Sequence, residues 1–189
     1  MDAILAVRTI LLADTVSGGV VSLIGTHPTT GLPAVFGGQL PKHYNPEPAT
    51  AAEPDGDGIA ITLLVKGGTT HSEMPTQEVD VQVRVWGGVN KDLEARTVYN
   101  RCFQVLHGLC NVMTGAAGQV KRILATTPGV DMVDPDTGWA TILCAFNVMI
   151  MDDGSYPVNV PVSSIETAAQ YTDAAIAAIS DIDGNGNFS

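Results

Sequence analysis

Basic residues are scarce in this chain: nine Lys and Arg stand against twenty Asp and Glu, a net charge of −11, and none follows Arg122. So acidic a chain exerts no electrostatic pull on phosphate, which supplies most non-specific nucleic-acid binding and much of the attraction to anionic membranes. A DNA-gripping or membrane-surface role is therefore disfavoured. Cysteine is equally sparse. Cys102, Cys110 and Cys144, an odd number with no C-x-x-C spacing, furnish neither a disulfide framework nor a zinc ribbon. Long apolar runs are missing as well, since the stretch Trp139 to Met151 contains Asn147 and is too short to cross a bilayer. The start Met1-Asp2 lacks a basic n-region, which reads as a protein kept in the cytoplasm unless a particle carries it out.

The inventory of chemistry is thin too. There is no G-x-S-x-G elbow, and Gly67-Gly68-Thr69-Thr70 lacks the Lys and helix context of a phosphate loop. Glu53, Asp55 and Asp57 sit among Pro, Ala and Gly, where nothing would hold an acid–base pair in geometry. His107 and Cys110 are three residues apart on an expected helix, but two ligands without further partners make a weak metal site. Asp181, Asp183 and Asn185, with Gly186, match the first half of a calcium-loop signature. The bidentate Glu at its twelfth position has no counterpart, so they form only a weak candidate. The expectation is a protein that is not an enzyme and has no resident cofactor or metal.

What is present is patterning. Ile4, Val7 and Leu11 recur at helical spacing behind Asp2, a candidate N-cap. Val20 to Ile24 reads as a short strand or a packed extension. From Thr26 to Gly58 the chain carries Pro28, Pro33, Pro41, Pro46, Pro48 and Pro54, which predicts a long extended arm with a short strand near Ala34-Val35-Phe36. So long a loop is unusual unless it lies on a partner or lines a site. Ile59 to Lys66 reads as a strand.

Glu78 to Trp86 alternates polar and apolar without a fault. Its valines point to a core and Glu78, Asp80, Gln82 and Arg84 to water, the signature of an antiparallel sheet with one wet face. The spacing then predicts a helix over Lys91 to Asn111, capped by Asn90, with Asp92 set to pair with Arg96. Its apolar stripe runs from Leu93 through Val98, Cys102 and Leu106 to Cys110. Strands follow over Gln119 to Thr127 and Trp139 to Met151.

The fold class is therefore α+β: a mostly antiparallel sheet of about four strands, two helices packed on one face, a long Pro-rich arm, and a C-terminal acidic extension. Residues 1–151 form the α+β domain, with 26–58 as its arm, and 152–189 form an acidic linker and an alanine-rich helix. Removing 152–189 is expected to leave the domain folded, because Pro157 and Pro161 mark a linker.

The order of elements, the strand Glu78-Val79-Asp80-Val81-Gln82-Val83-Arg84-Val85-Trp86-Gly87 and the helix ending Val105-Leu106-His107-Gly108-Leu109 resemble the tail-completion or tail-terminator proteins of long-tailed bacteriophages. The resemblance spans roughly residues 1–151 and does not reach the extension. It implies a virion protein that forms a homo-hexameric ring at the head-to-tail junction. Such a ring caps the last ring of tail-tube protein, offers its other face to the head-side connector, and lets DNA pass through its lumen without specific binding. A related neck or head-completion role, differing only in partner, and a calcium-responsive binding module are the alternatives. Interface residues are expected on the wet strand face, Glu78, Asp80, Gln82 and Arg84, and on the arm, Pro41, His43 and Tyr44. Acids such as Glu78 and Asp80 lining the lumen would repel phosphate.

Overall fold

In the computed structural model the described residues are 2–47, 56–70, 76–115 and 118–151. Helix α1, Ala3–Ala13, begins where the Asp2 carboxylate accepts the Leu5 N–H at 3.0 Å, and it buries Ala3, Ala6, Val7, Ile10 and Leu11 along one stripe. Val20–Leu23 forms a single helical turn, α2, where a strand or packed extension was expected. The local cause is Asp14, whose carboxylate accepts the Val20 N–H at 2.8 Å and orders the chain at the start of that turn. Strands β1, Val35–Gly37, β2, Ala60–Thr70, and β3, Thr76–Trp86, come next, followed by helix α3, Asp92–Leu106. Strands β4, Cys110–Met113, β5, Gln119–Val133, and β6, Ala140–Met151, complete the set.

The six strands make one mixed sheet in the order β1-β2-β3-β6-β5-β4, with β1 parallel to β2 and every other pair antiparallel. The expected sheet, mostly antiparallel and of about four strands, is thus matched in kind, while its strand count is corrected to six, with one parallel pair. The additions are the margins, β1 and β4, of three and four residues, too short to show alternation. β1 lies where the sequence placed a short strand. β4 replaces the last turn of the expected helix: α3 stops at Leu106, Gly108 takes φ +81° and donates to the Ile123 carbonyl at 2.9 Å, and Asn111 takes φ +56°. Cys110 therefore sits exposed on a strand, not on a buried helical stripe.

α3 departs from expectation at its start too. Lys91 occupies the N-cap position without a side-chain cap, Leu93 is 75% exposed, and Arg96 pairs with Asp131 of β5 rather than with Asp92. β5 runs past the turn signal Pro128-Gly129 by shifting register twice between Ala125 and Val130. Gly129 is required there: its N–H donates to the Tyr99 hydroxyl at 2.9 Å, and a Cβ would lie 2.5 Å from the Tyr99 ring.

The two longer helices, α1 and α3, cover one face. α1 rests on β1, β2 and β3, and α3 on β3, β6 and β5. Beneath them Ile61, Leu63, Val81, Val83, Val85, Ile142, Phe146, Val148 and Ile150 form one buried layer. Cys102, on the expected apolar stripe, and Cys144 belong to it. Burial raises both thiols, Cys144 up to about 12, which suits packing rather than nucleophilic chemistry. The helices are tied together by Arg101, whose guanidinium meets both Asp14 oxygens, at 2.8 Å and 2.7 Å.

That hydrogen bond from Arg101, with the Val20 N–H, holds the Asp14 carboxyl below the usual carboxylate range. A depressed folded pKa contributes stability above the unfolded value, about 3.9, and loses it as pH falls through the lower folded value. Asp14→Asn is expected to lower the melting temperature at neutral pH and to approach the parent as pH falls through the lowered folded value. Melting curves across that acid range check it; a constant gap at every pH would contradict the assignment.

Candidate interaction face

The strand register sorts β3 cleanly. Val79, Val81, Val83 and Val85 face the helices, while Glu78, Asp80, Gln82, Arg84 and Trp86 face the other way, all five half-buried. Beside them on this open face stand Thr62, Leu64 and Lys66 of β2, and Leu143, Ala145, Asn147 and Met149 of β6. The expected wet face exists, and its side chains are organised. Glu78 lies 3.6 Å from Arg122 of β5, and the Asp80 carboxylate accepts from the Asn147 amide at 3.1 Å. Two acids expected to line a lumen thus already hold neighbours within the sheet.

Arg84 stacks on Trp86, its guanidinium carbon 5.0 Å from the ring centroid, and the Trp86 indole N–H donates to the Thr62 hydroxyl at 3.0 Å. Where β1 gives way to the segment Gly38 to Leu40, that segment overhangs β2 and β3 and encloses a groove of about 300 Å3. Gln39, Leu40, Leu64, Lys66, Gln82 and Arg84 line it. Among the described residues neither Lys66 nor Arg84 has a carboxylate partner, although the chain is short of bases. Periodicity placed Gln82 and Arg84 on this face. It could not bring Lys66, Leu64 and Gln39 to them, because that depends on strand pairing and on the bulge between Val65 and Gly67.

The described part of the arm folds back on its own chain. Thr26 bridges Pro33, and Tyr44 is buried with Ala34 and Ala60 in a second small core. The Tyr44 ring packs edge-on against Phe36 at 5.3 Å, and its hydroxyl donates between the Gly58 and Asp57 carbonyls at 2.9 Å and 3.1 Å. Burial pushes this phenol well above its ordinary pKa. Of the arm residues expected at an interface, Tyr44 therefore serves the interior, Pro41 is half-buried and accepts the Tyr44 N–H, and only His43 is exposed.

His107 does not reach a metal with Cys110. Its ring stacks on Phe103 at 4.7 Å, and Nδ1 accepts the Ala125 N–H at 3.1 Å. Among the described residues no three His, Cys, Asp or Glu side chains gather to hold an ion, and no helix is long and apolar enough to cross a membrane. Asp57 accepts the Asn45 N–H at 2.8 Å, while Glu53, Asp55, Asp181, Asp183 and Asn185 lie outside the described residues.

A second cluster of exposed side chains marks the end of the sheet where β3 passes into α3 and β5 turns into β6. Val89, Leu93, Met132 and Val133 are exposed there. The turn between β5 and β6 is closed by Asp134, which accepts from the Thr137 N–H and hydroxyl at 3.1 Å and 2.7 Å. Asp92 and Asp136, both exposed, have no partner for their carboxylates among the described residues.

The fold as a whole is similar to that of a solved structure. The fold is shared with a virion chain. The structure is described as the virion of native gene transfer agent (GTA) particle, and the likeness has a TM-score of 0.53 at 17% identity. It covers 79% of this chain and 94% of that one, so nearly the whole neighbour is represented. Neither a family model nor a curated protein matches the sequence. At that identity the likeness establishes the fold, an α+β unit with a mixed six-stranded sheet.

Proposed function

We propose that this chain is a structural protein of a virion that works by assembling with copies of itself. In this reading it acts as a tail terminator: six copies close a ring on the last ring of tail-tube protein, and the opposite face of the ring meets the head-side connector. The observation that carries the reading is the fold shared with a chain of a virion particle across nearly that chain's full length. The open sheet face supports it, since large side chains such as Leu64 are left uncovered within one protomer. Identical heterologous contacts close into a ring when the rotation between neighbours permits. The protein acts by shape, catalyses no reaction, and lets DNA pass through the lumen.

Electron images of the purified chain, alone and mixed with tail-tube protein, test this. Rings in the first sample and tubes capped at one end in the second are the expected result. Monomers in both would overturn it. Capture of the connector with no hold on the tube would move the assignment to another neck component.

A further inference from the structure

Among the described residues, the two bases that line the groove on the open face, Lys66 and Arg84, have no carboxylate partner, and two acids at the β5–β6 end, Asp92 and Asp136, have no basic partner. Lys66 and Arg84 converge on one concave site, where the Trp86 ring holds the Arg84 guanidinium in place at 5.0 Å. Among the described residues Lys91, Arg96, Arg101 and Arg122 are in ion pairs, whereas Lys66 and Arg84 lie together in one groove without one. Apolar surface accompanies the charge on both sides. Leu40 and Leu64 line the groove, while Leu93 and Val133, at 75% and 66% exposure, flank the acidic end. Asp136 lies in a hairpin turn, a convex feature suited to entering a concave one.

We infer that the groove lined by Lys66 and Arg84 receives the β5–β6 hairpin end of a second copy of this chain, with Asp136 set against the two cations. The inference rests on the ring reading above and names the contact by which neighbours join. Groove and hairpin end are different patches of one surface, so the contact is heterologous: each copy offers a knob to one neighbour and a groove to the other. Opposite charge at such a contact fixes register and speeds encounter, while like charges suppress misdocking. An arginine already seated on an aromatic ring loses less freedom when it meets its carboxylate, which favours Arg84 as the anchor.

Zero-length carbodiimide cross-linking of the full chain, as an equal mixture of isotopically light and heavy protein, reads the contact directly. Mixed-isotope peptides joining Lys66 to Asp136 or Asp92 are expected. Charge reversal gives the second measurement. Arg84→Glu and Asp136→Arg, each checked for native circular dichroism, should weaken self-association about tenfold by sedimentation, and combining them should restore most of it. Lys66→Glu, at an exposed position, serves if Arg84→Glu fails to fold. Rings that persist unchanged in the single variants, or cross-links lying elsewhere, overturn this contact and leave the ring reading standing. A parent chain that stays monomeric at every concentration overturns both.

Discussion

Replacing Phe146 with alanine is expected to lower the unfolding free energy by about 3–5 kcal/mol, which for a chain of this size is a fall in melting temperature of about 10 °C or more. Phe146 is fully buried in β6, a strand paired on both sides, opposite Val81 of β3 and Ala125 of β5. α3 lies over it, with Phe103 at 6.4 Å between ring centroids. Truncation removes apolar surface from the dry layer and leaves a void that two flanking strands and a helix, each held by its own ladder, cannot collapse to fill. Phe146→Leu, which keeps most of the volume, should cost less than about 1.5 kcal/mol. Guanidinium unfolding of the two variants checks the pair. A cost to the alanine variant below that of the leucine variant would mean that the layer repacks and is not the rigid element described.

The second large effect belongs to a residue with no side chain. Gly25 donates to the Ile59 carbonyl at 2.8 Å and accepts from the Ala34 N–H at 2.9 Å, so it joins the start of the arm to its end and to the entry of β1. A Cβ at this position would run into the Asp57 carbonyl oxygen and stand 2.6 Å from the Tyr44 hydroxyl. Its neighbour is backbone, and it has little room to give, because Gly58 beside it holds φ +88°. Gly25→Ala is expected to destabilise by about 3 kcal/mol and to speed amide exchange at Ala34 and Ile61, as the small core around Tyr44 opens. Gly67 is the control: nothing approaches its Cβ direction, so Gly67→Ala should stay within about 0.5 kcal/mol of the parent. Equal effects at the two positions would contradict the account of the arm as a closed loop.

Elements with a long, faultless pattern were legible from sequence, and short or tertiary ones were not. β3 could be read residue by residue, because its alternation spans the whole strand and reports burial directly. α3 was placed correctly in kind, yet its end was overrun: Cys110 extends the apolar stripe in sequence, while the turn at Gly108 hands it to a strand. The pairing of Asp92 with Arg96 was reasonable on helical spacing and lost to tertiary competition from Asp131. β1 and β4 are visible only through their partners. The same limit applies to the groove. Arg84 and Gln82 were on the expected face, but Lys66 meets them only through antiparallel register. Tyr44 looked like an exposed arm residue because proline-rich sequence reads as loop, and nothing local signals that Asp57 and Gly58 return to meet its hydroxyl.

The two borders of the sheet are blunt, and this bears on how the free chain behaves in solution. β1 offers three residues ending at Gly37, and β4 offers four, with Asn111 in a left-handed conformation between two of them. A hydrogen-bonding margin this brief templates poorly, so copies of the chain at high concentration have little tendency to stack edge against edge into fibrils. Growth by strand addition has no natural end, whereas docking through curved faces and projecting tips stops when the circuit of neighbours is complete.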